Sequence, residues 1–178
     1  MNKTTRKPIT DVDFVSIPDY YLGDTLVQVS DIKLLYCDID GTIADLTHRR
    51  QFVASQPKNW AAFEASMSED KPIHWVIDLV NMFWHNGAEV VMMTGRGRQN
   101  LEATEAWLDT FGVCYDNIYT RAEGDYRKDS IVKKELYHQA WIDYGEKDPD
   151  LILDDRTQVV NMWRDLGLNC IQVAWGDF

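Results

Sequence analysis

Apolar positions come in blocks along this chain, and the blocks change period. KLLYCD, at 33–38, is a short continuous apolar run closed by a charge. It predicts a parallel strand buried on both faces. From Pro72 the apolar residues fall at Ile73, Val76, Ile77, Val80 and Trp84. That spacing marks one face of a helix, with Gly87 placed to end it. AEVVMM is a second strand, closed by TGRGR. NLEATEAWLDTF is a helix with Leu101, Leu108 and Phe111 on one side and Gly112 as its stop. DNIYTR reads as a short third strand, and KDSIVKKELYHQAWIDYG as a helix starting near Asp129. LIL at 151–153 is a fourth strand, RTQVVNMWRDLG a helix, and CIQVAW a last strand.

This alternation predicts an α/β fold: a doubly wound, mainly parallel sheet with right-handed crossovers. Ligands of such sheets bind at the carboxyl ends of the strands. The polar clusters DIDGT, TGRGR and DDRT all fall at those ends. One stretch breaks the pattern. Residues 46–70, with HRRQF and NWAAFEASM, follow the first strand and are read as a small cap or flap. The α/β domain is expected over 31–178. Residues 1–30 are expected to form a loosely docked arm, since MNKTTRKPIT is basic but leads into no apolar stretch and so is no secretory signal.

Composition narrows the function. With 178 residues, 45% hydrophobic, the chain suits one domain with a real core, and its seven tryptophans are expected mostly inside it. No apolar run reaches the roughly 20 residues of a membrane helix. Three scattered cysteines, Cys37, Cys114 and Cys170, show no metal or redox spacing, which points to a reducing cytoplasm. A formal charge of −11 argues against wrapping a long nucleic-acid backbone. It leaves room for gripping one phosphate with a few arginines.

The chemistry lies in the carboxylates. Asp38 and Asp40 are two apart at the end of the first strand, and Asp154 and Asp155 end the fourth. Either pair alone is at home in a cap or a solvated turn. Two such pairs at two strand ends of one sheet point instead to a hard cation, and magnesium takes carboxylates together with phosphate oxygens. Thr94, Gly95 and Arg96 offer a hydroxyl, close backbone N–H groups and a guanidinium fork for phosphate. Arg49 and Arg50 in the flap are further cations. Arg49, on an exposed flap, is expected to matter to turnover more than to folding. Of Lys128 and Lys133 only one is expected at the site; Lys133, four residues after Asp129, is preferred. Lys134 is read as solvated, and Asp45 as a flap residue.

In order and spacing, DIDGT, VVMMTGR, a lysine region and LILDDR resemble the haloacid dehalogenase superfamily of phosphotransferases. GDYRKDSIVKKEL and LILDDRTQVVNMWRDLGLNCIQVAWGDF resemble, more narrowly, the 3′-phosphatase domain of phage-type polynucleotide kinase–phosphatases. The likeness runs from about Leu34 to Phe178 and is weakest through the cap. It implies that Asp38 is a nucleophile forming an aspartyl-phosphate. It implies that Asp40 is the general acid and then the base, with its backbone carbonyl toward magnesium. Thr94 and Lys133 would bind the transferring phosphate. Asp155, with Asp154 beside it, would complete the metal site together with Asp38 and Asp40. Arg49, Arg96 and Asp129 fall where the subfamily has functional residues. Ser130 departs from a usual second aspartate. No G-x-x-x-x-G-K-[ST] occurs, so no kinase half is expected within this sequence.

The expected activity is a magnesium-dependent polynucleotide 3′-phosphatase acting on a 3′-phosphorylated DNA or RNA end in nucleic-acid repair, alongside a possible separate kinase or ligase. A small-nucleotide phosphatase shares every catalytic residue, and the acidic charge favours it. A non-catalytic phosphate-binding subunit is disfavoured, because no catalytic position is replaced. In the cap, His48 is a candidate substrate contact. Trp60 and Phe63 are read as cap packing, with base stacking as the alternative. Oligomeric state is not legible.

Overall fold

The computed structural model describes residues 31–54 and 56–176, and the backbone alone at Tyr20–Leu22 and Thr25–Val27. Those two short segments are β1 and β2, an antiparallel hairpin. It lies within the stretch read as an arm; the rest of that stretch is outside the described residues. The elements that follow are β3 (Leu34–Cys37), β4 (Ala44–Asp45), α1 (Trp60–Ala65), β5 (Lys71–Pro72), α2 (His74–His85) and β6 (Glu89–Gly97). Then come α3 (Leu101–Thr110), β7 (Asn117–Arg121), α4 (Asp129–Asp143), β8 (Leu151–Asp154), α5 (Thr157–Asp165) and β9 (Cys170–Gln172).

Five strands form one parallel sheet in the order β7-β6-β3-β8-β9. β3, first in sequence, is central, and the winding reverses between β3 and β8. That reversal opens a crevice at the carboxyl ends of the two strands, where a doubly wound sheet takes its ligand. The continuous apolar runs follow from covering both faces. Leu35, Cys37, Val90 and Met92 pack against Val76, Ile77 and Val80 of α2 and Leu108 of α3. Leu34, Tyr36, Val91 and Met93 face the other way, onto Tyr137 and Ala140 of α4 and Val159 and Trp163 of α5. Successive strand residues point to opposite faces, so a strand with helices on both sides has no polar position to spare. Gly87 ends α2 at φ +92°, a conformation open to glycine. No helix among the described residues is long and apolar enough to cross a membrane.

Three details differ from the sequence reading. β6 does not stop before TGRGR; it runs on to Gly97, and its pairing with β7 shifts register between Thr94 and Gly97. A bulge there re-aims the side chains at the strand's end. β9 stops at Gln172, after which Val173 donates its N–H to the Asp154 carbonyl (3.0 Å). The tryptophans divide: Trp107 and Trp163 are buried, whereas Trp60, Trp75 and Trp175 are exposed. Trp60 and Trp75 stand in the first turns of α1 and α2, off the buried faces that Phe63 and Val76, Ile77, Val80 and Phe83 form.

Residues 46–70 rise from a clasp in which β4 and β5 pair antiparallel, Ala44 opposite Pro72 and Asp45 opposite Lys71. Asp45 accepts the Thr47 N–H (2.9 Å) at the start of a 3-10 turn over Thr47–Phe52. The Asn59 side chain caps α1 through the Ala62 N–H (3.0 Å). Leu46, Val53 and Phe63 form a small core of their own.

Candidate active site

Asp38 sits one residue past β3, with its N–H still donated to the Leu153 carbonyl of β8 (2.9 Å). Its side chain is buried. One carboxylate oxygen lies 2.7 Å from the Lys133 ammonium, and the other accepts the Thr42 hydroxyl (3.2 Å). Burial pushes the Asp38 carboxyl well up from its ordinary value, against the pull of Lys133. Lys133 is buried on the inward side of α4 and also reaches Asp154 (2.8 Å) and Asp129 (3.7 Å). Burial alone would lower its pKa, but Asp154, Asp38 and Asp129 outweigh that and keep it protonated. Lys128 and Lys134 are exposed.

At the end of β8 the two aspartates differ. Asp154 accepts from Lys133 and the Trp163 indole (3.3 Å) on one oxygen and from the Arg156 N–H (3.2 Å) on the other. Asp155 is equally buried, yet neither of its oxygens has a partner. Burial, and then the charge of Asp154, push its carboxyl up to about 6. The backbone closes tightly around it: a Cβ on Gly41 or on Gly176 would collide with the Asp155 carboxylate. Gly41 also sits at φ +90°. Oxygens of Asp38, Asp154 and Asp155 all lie within 4.8 Å of one another. Three buried carboxylates facing one ammonium leave uncompensated negative charge, which costs several kcal/mol unless a cation joins them. An all-oxygen donor set with orphaned carboxylate atoms fits magnesium or a similar hard divalent ion.

The Asp40 carboxylate is outside this cluster. Arg49 reaches it at 2.5 Å and Arg96 at 2.7 Å. The same two guanidiniums share Asp70, at 2.6 and 2.9 Å. Burial works to raise the Asp40 carboxyl, but Arg96 and Arg49 win and hold it at about 2. Arg49 is 1% exposed and stacks over the Phe63 ring (4.2 Å). The expectation of an exposed flap arginine is therefore corrected: the flap folds down and buries Arg49 between two carboxylates and an aromatic ring. Trp107 fixes the Asp70 backbone through an indole hydrogen bond (2.9 Å).

Thr94 is buried, and its hydroxyl accepts the Arg96 N–H (3.1 Å). Gly95 presents bare backbone to Asp129, whose carboxylate lies 2.5 Å from where a Cβ would stand. Arg121, at the end of β7, ties this corner together. It donates to the Gly95 carbonyl (2.8 Å), the Asp129 carboxylate (2.9 Å) and the carbonyls of Asp125 (3.1 Å) and Arg127 (2.8 Å). Phe63 is buried under Arg49, Trp60 is exposed with the Lys58 ammonium over its ring (5.2 Å), and His48 contacts the Ser66 carbonyl (3.2 Å).

The strand ends thus bring together Asp38, Thr94, Gly95, Arg96, Asp129, Lys133, Asp154 and Asp155. The cap adds Arg49 against Asp40. Sequence reasoning missed Asp70 and Arg121. Arg121 was findable, since it closes the third strand at the carboxyl edge. Asp70 had no signal, because only the folded cap shows that it faces two arginines.

Residues 33–178 match the family model of the polynucleotide kinase PNKP phosphatase domain. A protein described as a bifunctional polynucleotide kinase/RNA ligase of Autographa californica nuclear polyhedrosis virus is 28% identical over 136 residues, which cover 75% of this chain and 18% of that one. A chain of the Pnkp1/Rnl/Hen1 RNA repair complex is 32% identical with a TM-score of 0.67, covering 93% of this chain and 48% of that chain. The chain therefore spans about a fifth of the viral relative and about half of the repair-complex chain. A haloacid dehalogenase-like hydrolase from Streptococcus pneumoniae, 14% identical, shares the fold with a TM-score of 0.60 over 84% of this chain and 87% of its own.

Proposed function

The chain belongs to the family of polynucleotide kinase phosphatase domains, a phosphatase with the haloacid dehalogenase fold, and we propose that it removes the 3′-terminal phosphate from a polynucleotide end. The observation that carries the reading is the buried Asp38, 2.7 Å from Lys133 and beside the unpartnered Asp155. A carboxylate so placed, with an ammonium beside it and a neighbouring carboxylate open to a cation, can attack phosphorus as a nucleophile.

Asp38, Asp154 and Asp155 would hold magnesium, with Asp155 the direct ligand, because Asp154 already has donors on both oxygens. Bound there, the ion supplies the positive charge that lets phosphate and carboxylates lie side by side. An Asp38 oxygen attacks phosphorus, the bond from phosphorus to the 3′ oxygen breaks, and Asp40 gives that oxygen its proton. Water then attacks phosphorus of the aspartyl-phosphate, Asp40 takes the water's proton, and Asp38 is freed with inorganic phosphate. Lys133, the Thr94 hydroxyl and nearby backbone N–H groups neutralise the phosphoryl oxygens.

Asp40 must begin protonated to act as the acid, yet the two arginines hold it ionised in the free protein. Substrate resolves the conflict. Phosphate oxygens draw on Arg49 and Arg96, weaken their hold and raise the Asp40 carboxyl. Once phosphate leaves, the arginines return. The relatives, one described as a kinase/ligase and one part of an RNA repair complex, support a role in RNA end repair beside kinase and ligase activities.

The test is a panel of 3′-phosphorylated oligonucleotide, 5′-phosphorylated oligonucleotide and free nucleoside monophosphate, with and without magnesium. Release from the 3′ end alone, dependent on magnesium and abolished in a folded Asp38→Asn protein, is the expected result. Faster hydrolysis of free mononucleotides would replace the polynucleotide with a small nucleotide as substrate.

A further inference from the structure

Trp175 is 79% exposed. Isolated exposed apolar residues are ordinary on a protein surface, so exposure alone says nothing. Placement says more. Beyond β9 the chain does not drift into solvent: Val173 donates to the Asp154 carbonyl (3.0 Å), and Gly176 donates to the Asp155 carbonyl (3.1 Å). Gly176 lies so close that a side chain there would collide with the Asp155 carboxylate. The indole is therefore mounted on backbone zipped to the two aspartates that end β8, at the rim of the crevice holding Asp38 and Lys133.

We propose that Trp175 is a substrate-binding residue that stacks on a base at the phosphorylated end, and so selects ends whose terminal base is unpaired and free to unstack. The inference rests on the polynucleotide reading above and names the form of nucleic acid it takes. Charge supports it. With a formal net charge of −11, the molecule gains little by tracking a long phosphate backbone. Stacking on an aromatic face needs no positive charge and tolerates every base. A ring carried on backbone tied to Asp154 and Asp155 gives an acidic protein a way to hold the nucleoside next to the reacting phosphate.

The experiment compares wild type, Trp175→Ala, Trp175→Phe and Trp175→His with the surface control Ile142→Ala. Substrates are a single-stranded 3′-phosphorylated oligonucleotide, its blunt duplex, and p-nitrophenyl phosphate. Stacking is lost to alanine at about ten-fold or more in affinity. The expected result is a KM raised about ten-fold for the single strand in Trp175→Ala, with kcat and aryl phosphate hydrolysis unchanged. Trp175→Phe and Trp175→His should restore most of the loss, and wild type should favour single strand over duplex. Ile142→Ala should match wild type. Equal losses on oligonucleotide and aryl phosphate would make Trp175 a prop for the Gly176–Asp155 contact and overturn the proposal. So would a Trp175→Ala protein that matches wild type on every substrate. Wild type that hydrolyses aryl phosphate but no oligonucleotide would instead remove the polynucleotide reading itself, and stacking with it.

Discussion

Asp38 and Asp40 are two residues apart and live in opposite electrostatic settings. Burial raises the first, while paired arginines hold the second at about 2. That split suits a nucleophile whose charge is steadied by cations and a proton carrier whose charge can be switched by substrate. The proposed switch would depend on Arg49, which bridges Asp40 and Asp70 almost without exposure. Removing one partner of a buried pair typically costs about 3–5 kcal/mol. Arg49→Ala should therefore unfold at clearly lower urea as well as turn over slowly, and adding Asp70→Asn should recover part of the stability. A wild-type urea midpoint in Arg49→Ala would show the bridge to be idle. At this scale the sequence displayed the candidate chemistry well: four aspartates and a threonine at strand ends are legible because strand ends converge, and Lys133 because it follows Asp129 by one helical turn. What it concealed was pairing across the cap. Whether Arg49 lies in solvent or against Asp70, 21 positions on, depends on how the segment between them folds, and no local period encodes that.

At the level of elements, the turn after β3 does the close work. Thr42, Ile43 and Ala44 all donate N–H to the Ile39 carbonyl, and Gly41 passes against Asp155. Gly41→Ala should reduce turnover severely, since a methyl there both strains the left-handed backbone and displaces the Asp155 carboxylate. Raised magnesium demand in the residual activity would locate the damage at the proposed metal site, and full activity at ordinary magnesium would contradict the account. The run KLLYCD announced its strand because both faces are covered. The sequence placed the end of β6 too early, because TGRG looks like a turn. A bulge keeps that stretch in the sheet while aiming Arg96 toward Asp40. The hairpin of β1 and β2 carried no clear alternation and went unread.

Across the whole molecule, a sheet with three buried carboxylates at its carboxyl end should be stabilised by the ion proposed to bind there. Binding to the folded state alone raises stability by about 2.7 kcal/mol at a hundred times the dissociation constant. Magnesium should raise the thermal midpoint of the wild type, calcium should do so more weakly, and Asp155→Asn should abolish the shift while leaving a cooperative transition. A midpoint indifferent to magnesium would remove the metal assignment regardless of activity. The acidic surface should also make oligonucleotide binding only weakly dependent on salt, since few phosphates are neutralised. The clasp of β4 and β5 has a consequence for how such a molecule can change over evolutionary time. Residues 45 and 71 stand side by side, so everything between them enters and leaves the sheet at one point. Doubling the length of a closed loop costs only about 0.6 kcal/mol. Insertions, deletions or wholesale exchange of the intervening segment can therefore accumulate without shifting a single strand, provided an arginine and an acid survive to meet Asp40 and Arg96. Lineages, and protein engineers, can thus graft new recognition surfaces there while the hydrolytic machinery beneath is inherited intact.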